Sequence, residues 1–377
     1  MFRSLVSYPM RTQQPMHDSQ ELRTAVRQAV RTHGDSVDLN HLDVSRITDF
    51  SGLFEKSRFN GNISQWDVSN ATNMAWMFRG CHFCGDVSAW NVSKVRTFSQ
   101  MFLDTIFNSD LSNWDVSSGE QFDHMFESSR FNGDISRWDT ANATTVAYMF
   151  FNSSFQGNVS RWNTGRIKDM SCLFACTQFN GDVSQWNVSN VEWMDEMFSN
   201  TVFNGDISQW NTSRVQDMSG MFQDSMFSGD ISHWNVASVV SMARMFDNGA
   251  FNGDIAQWNV GNVHDFEQMF QDSGFAQDIS AWQANPRNTK RMFFGNQQGA
   301  AAQSKTPAWF IPVRIESDGD FDDPVWQQAM EGYRATHLAL GLSPDHKIRD
   351  VTELHASLQE TQGCFLPLHD AFLEDSA

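Results

Sequence analysis

The stretch FNGDISQWNTSRVQDMSGMF, residues 203–222, is written again 48 residues later as FNGDIAQWNVGNVHDFEQMF, residues 251–270. A tryptophan stands at the same place in both. Followed along the chain, it recurs at 66, 90, 114, 138, 162, 186, 210, 234, 258 and 282, always 24 residues apart. One phenylalanine column keeps the same period from Phe59 to Phe275, and a second keeps it from Phe54 to Phe270. A degenerate earlier copy, VDLNHLDVS, puts Leu42 in the tryptophan's place. Self-similarity at a fixed period is the mark of a repeat architecture and takes precedence over any element-by-element reading.

The unit around Trp210 reads as a strand, a turn and a short helix. Gly205 and Asp206 form a turn pair, and Ile207, Trp210 and Thr212 follow at spacing 1, 4, 6. Trp210 and Thr212 share one face of an extended segment, and the phase of Ile207 implies a bend before it. Ser213 can cap a helix whose stripe is Val215, Met218, Met221 and Phe222, and Phe227 closes the coil. A unit of this size cannot bury its own apolar face, but stacked copies can. Burying a tryptophan removes roughly 200 Å² from water, a gross gain of about 5 kcal/mol before chain entropy is counted. Strand spacing near 4.8 Å predicts an array roughly 45–50 Å long. A propeller needs about 40 or more residues per blade and is disfavoured.

The pattern I/V-S-x-W-D/N-V-S-x-V-x-x-M-x-x-M-F, preceded by F-N-G-D, resembles the BspA-like leucine-rich-repeat surface proteins, the DUF285-type bacterial repeats. The resemblance runs from about Val37 to Phe294, with tryptophan in the second slot of the repeat's strand signature. It implies a curved solenoid used in attachment or protein recognition at the bacterial surface or after secretion, without catalysis. The expected fold is therefore an α/β repeat solenoid, leucine-rich-repeat-like, of ten 24-residue strand-turn-short-helix coils over 37–295. A tail and cap helix (1–36) precede it, and a linker (296–305) and a small helical cap or domain (306–377) follow.

The ends carry their own signals. Asp18 with Glu21 resembles a capping box, Leu22, Val26 and Val30 mark one helix face, and Gly34 stops the helix. The first residues, MFRSLVSYPMRTQQPMHDSQ, hold no apolar run fit for a signal peptide, and no stretch is long enough to span a membrane. After Phe294 the period stops and GNQQGAAAQSK reads as a linker. Asp323-Pro324 then opens a helix with Trp326, Ala329, Met330, Tyr333 and Leu340 on one stripe. Ser343-Pro344 opens a second, with Ile348, Val351, Leu354 and Leu358. An activity carried by 306–377, with the solenoid as targeting arm of a secreted effector, is the alternative function.

The formal net charge of −19 divides as +2 over 1–36, −13 over 37–295 and −8 over 296–377. Such a surface excludes a nucleic-acid partner, whose phosphates must be met by Lys and Arg. It suits a monomer that binds a protein, host or cell-surface. No glycine-rich phosphate loop, nucleophile elbow or paired-histidine motif appears, and the tail histidines (His337, His346, His355, His369) are irregularly spaced. No cofactor is expected. Cys81 and Cys84 have C-x-x-C spacing and Cys172 and Cys176 lie four apart, but their register positions read as structural or free thiols. The run from Ser317 to Asp323 lacks the glycine and glutamate of an EF-hand loop. The N-x-S/T sequons follow from the repeat consensus, and no glycosylation is read from them.

Two columns are candidates for contacts. The residue after each tryptophan is nearly constant: Asp67, Asn91, Asp115, Asp139, Asn163, Asn187, Asn211, Asn235, Asn259. It reads as a side-chain ladder between coils or as part of an exposed sheet face. The residue before the tryptophan varies: Gln65, Ala89, Asn113, Arg137, Arg161, Gln185, Gln209, His233, Gln257, Ala281. Variation over a fixed frame favours this column for recognition, with Arg137 and Arg161 adjacent. The Gly-Asp turns (Asp86, Asp134, Asp182, Asp206, Asp230, Asp254) read as turn caps rather than calcium ligands. Trp76 and Tyr148 are aromatic in a helix column that is otherwise polar, as an interface would be.

Overall fold

The computed structural model describes residues 15–296 and 305–310. The expectations for 311–377, the paired helices and the acidic run among them, lie outside the described residues. The described chain belongs mainly to one compact unit, 1–307, with 308–377 forming a second.

Helix α1 (Ser19–His33) precedes the repeats, capped by Asp18, whose side chain accepts from the Gln20 and Glu21 amides. Gly34 ends it at φ 87°, a conformation that an L side chain rarely adopts. Leu22 and Val26 are buried while Val30 is half-buried. The helix also completes the first coil's hydrogen bonds. In later coils the carbonyls of Asn73 and Ala75 accept from Phe50 and Gly52 of the coil before. The corresponding carbonyls of Asp49 and Ser51 have no preceding coil, and the Ser19 hydroxyl and the Arg23 guanidinium take its place.

Successive 24-residue units lie in parallel register. Isolated parallel bridges join Asp49 to Asn73, Asn73 to Thr97 and so on to Asp265, and a final step of 23 reaches Asn288. This bridge column differs from the expected strand, which was placed at the tryptophan. Trp210 instead ends a tight turn, its amide donating to the Ile207 carbonyl at 3.2 Å, and a second turn runs from Thr212 to Val215.

The expected short helix is absent too: α1 is the only helix among the described residues. Over 217–224 the chain makes staggered turns, with Met221 donating to Met218 and Gln223 to Gly220. Alternate amides, those of Met218, Gly220, Phe222 and Asp224, donate instead to carbonyls of the next coil at 2.7–3.1 Å. Two residues per coil have positive φ, here Gly220 (59°) and Asp224 (52°), and this lets the amides turn the same way. The physical reason is spacing. Backbone pairing holds coils about 4.8 Å apart, whereas packed α-helices need 8–10 Å. Ser213 accordingly caps no helix; its amide donates to the Asn211 side chain.

The core consists of aromatic columns. The Phe54 column stacks continuously to Phe270 at centroid spacings of 5.5–6.1 Å. Beside it the Phe59 column stacks to Phe275 at 6.1–6.5 Å. Within a coil the two rings meet face to face, 3.7 Å apart for Phe174 and Phe179. Parallel indole pairs include Trp162–Trp186 at 6.2 Å and Trp210–Trp234 at 6.3 Å. The glycine of F-N-G-D lets the ring fold back, since a Cβ on Gly205 would stand 2.8 Å from the Phe203 ring.

Candidate interaction surface

Around each tryptophan, burial alternates. Trp138 is buried between the exposed Arg137 and Asp139, and Trp66 between the exposed Gln65 and Asp67. The variable column therefore faces solvent throughout: Gln65, Asn113, Arg137, Arg161, Gln185, Gln209 and His233 are all exposed. It occupies a corner, not a flat sheet. Arg137 is the third residue of the turn Ile135–Trp138 and Arg161 that of the turn Val159–Trp162. Stacking brings one such residue per coil onto a single edge. Arg137 and Arg161, with Ser136, Trp138 and Asp139, line one shallow groove.

The column after the tryptophan has a local task. Asp67, Asp115 and Asp139 each accept the amide two residues on, as do Asn91, Asn187 and Asn211. These are Asx turns that hold the second corner. Hydrogen bonding by Ser69, side chain first and then amide, holds the Asp67 carboxyl below its ordinary value. The Gly-Asp column does the same at the first corner: Asp134 accepts the Ser136 amide and Asp206 the Ser208 amide, both at 2.9 Å. These bonds lower both carboxyl pKa values. The bridge column repeats the device a third time, Asp169 accepting from Ser171 and Asp217 from Ser219.

A side-chain ladder between coils does exist, in a column that sequence reasoning passed over. The asparagine after the Phe59-column ring accepts the amide 24 residues on: Asn108 from Asn132, Asn132 from Gln156, Asn180 from Asn204. The recurrence of F-N was the signal available for it.

The aromatic pair in the polar column is split. Trp76 is 44 % exposed, while Tyr148 is half-buried and stacked on His124 at 4.6 Å. Both belong to the positive-φ column. Burial pushes the Tyr148 hydroxyl and the Cys172 thiol beside it far up. Cys81 is buried against Ser57 and the Phe59 carbonyl, and burial raises its thiol as well. Cys84 is exposed, and both thiols of the C-x-x-C pair are free. Among the described residues no three His, Cys, Asp or Glu side chains gather to hold a metal ion. Nor is any helix there long and apolar enough to cross a membrane.

No curated protein and no solved structure matches this chain. A family model does. The one described as "Mycoplasma protein of unknown function, DUF285" matches residues 20–130, 107–202, 127–225 and 199–309. These overlapping matches follow the stacked coils from α1 past the last tryptophan, well over half of the sequence. The repeating coil, with its buried tryptophan and its exposed corner, is thus the unit that places the chain in the DUF285 family.

Proposed function

We propose that the chain is a non-enzymatic recognition scaffold of the BspA-like leucine-rich-repeat type. It is a monomeric solenoid that binds a protein partner, host or cell-surface, through the corner carrying the residue before each tryptophan. One observation supports this above the others. The corner presents several different exposed side chains, Asn113, Arg137, Gln185 and His233 among them, beside a tryptophan column that does not change. A scaffold devoted to its own stability gains nothing from that variation, whereas a binding edge depends on it. Burial raises the Cys81 and Cys172 thiols, which disfavours the thiolate that a nucleophile needs.

The test is affinity capture on three purified proteins: wild type, the double variant Arg137→Glu/Arg161→Glu, and Arg96→Glu as a control on another column. Loss of the captured protein with the double variant alone supports the corner. Retention by the double variant moves binding to another face and ends this reading.

A further inference from the structure

We propose that the notch between Arg137 and Arg161 receives one compact oxyanion, a carboxylate or phosphate carried on the partner's surface; this deepens the recognition reading above and rests on it. The two guanidinium groups stem from successive coils, about 4.8 Å apart along the stack. Other basic side chains nearby are already engaged: Lys94 with Asn70, Arg96 with Glu120, Arg166 with Asn142, Lys168 with Glu192, Arg214 with Asn190. Among the described residues neither Arg137 nor Arg161 has such a hydrogen bond or ion pair; Arg137 only adds to the lowering of the Asp134 carboxyl. Two uncommitted guanidinium forks converging on one groove are suited to share an oxyanion.

The charge pattern marks the same place. No Asp or Glu occurs between Asp139 and Asp169, a stretch that contains Arg161, Arg166 and Lys168. The row of corner aspartates (Asp38, Asp86, Asp110, Asp134, then Asp182, Asp206, Asp230) is broken at Asn62 and again at Asn158, between the two arginines. The column after the tryptophan has Asp139 in one coil and asparagine from Asn163 through Asn259. The two arginines thus lie between Asp134 and Asp182 of the corner row, with Asp139 on the groove wall.

Its size sets the ligand. From Asp134 to Asp182 is two coils, about 10 Å, comparable to the screening length at moderate salt. A single oxyanion fits within that gap. An extended polyanion would overlie the aspartate rows and be repelled.

The probes are inorganic phosphate, a neutral peptide bearing one phosphoserine or one glutamate, and hexaglutamate, all at constant ionic strength. The readout is modification of individual arginines by phenylglyoxal, mapped by mass spectrometry. At a phosphate concentration twice its dissociation constant, Arg137 and Arg161 should react about threefold more slowly, with Arg79 and Arg130 unchanged. The singly anionic peptides should protect likewise, and hexaglutamate should not. Arg161→Gln, whose side chain is exposed, should leave the circular dichroism unchanged and abolish protection of Arg137. Uniform slowing of all arginines, or stronger protection by hexaglutamate, overturns the proposal. The probes need no partner, so the two ideas fail separately. Loss of capture with no phosphate protection keeps the corner and removes the anion. Protection without any effect on capture keeps the notch and removes the recognition reading.

Discussion

Trp210 donates its indole N–H to the Val183 carbonyl of the preceding coil at 3.1 Å, while its ring lies 6.3 Å from that of Trp234 in the next. The same bond, always 27 residues back, recurs from Trp66 to Leu39 through Trp282 to Ile255. The indole is therefore a hydrogen-bonding tie as well as apolar bulk. Trp210→Phe should keep most of the burial and remove one of the two hydrogen bonds to the Val183 carbonyl, which still accepts from the Trp186 amide, a loss of about 0.5–1.5 kcal/mol. Trp210→Ala should cost about 3–5 kcal/mol, because it also opens a cavity. Urea unfolding followed by circular dichroism separates the two. No loss in Trp210→Phe would mean that the N–H bond contributes nothing. That the tryptophan is buried was legible in the sequence, since its period admits no other use. Its acceptor was not, because the 27-residue offset combines the coil length with the three-residue turn from Val183 to Trp186. The valine slot teaches the same lesson: Thr140, Thr164 and Thr212 are buried there because each hydroxyl donates to a carbonyl of the next coil at 3.0 Å.

The apolar stripe Val215, Met218, Met221, Phe222 fits a helix, and those four residues are buried together, yet no helix forms. Periodicity reports which side chains point inward; it does not report where the amides go. A helix would spend its amides within the coil, and this stack needs alternate ones for the next coil. The left-handed residues that make this possible give an element-scale test. Gln100 has φ 56°, and its column contains glycine at Gly52 and Gly220. The left-handed region costs a non-glycine residue roughly 1–2 kcal/mol, and glycine adds back about 0.5–1 kcal/mol of unfolded-chain entropy. Gln100→Gly should therefore stabilise the protein by about 0.5–1 kcal/mol, and Gln100→Val should destabilise it by a similar amount or more. Chemical denaturation reads both. A helix at this position would reverse the order, since glycine is the poorer helix former.

Across the whole stack, fixed register brings carboxyls of neighbouring columns together from successive coils, and this has an electrostatic consequence that no single unit reveals. Asp195 lies near Asp169 and Asp217, and the Ser171 hydroxyl approaches both Asp169 and Asp195, at 2.7 and 2.6 Å. One hydroxyl proton cannot serve two carboxylates. Burial, then the neighbouring carboxylates, raises Asp195 to about 6; burial with Asp224 and Asp272 does the same to Asp247, and burial raises Asp265. The corner aspartates move the other way, held below 3.8 by their serine amides, as for Asp182 and Asp206. The signs then fix the profile. A carboxyl raised in the folded state binds its proton more tightly there than when unfolded, so its contribution grows as pH falls from above 6 toward 4. A carboxyl lowered in the folded state contributes fully above 3.8 and loses that contribution as pH falls through its folded value. Stability should rise from pH 7 to pH 5.5, reach a maximum between about 4 and 5.5, and decline in stronger acid. Isothermal urea titrations across that range measure it. Relief of the net charge of −19 would also favour acid, and a variant distinguishes the two causes. Asp195→Asn with Asp247→Asn should remove most of the gain between pH 7 and 5.5 if the stacked carboxyls produce it. If the gain survives, the repulsion belongs to the surface as a whole, and the individual carboxyls do not govern how the coils respond to pH.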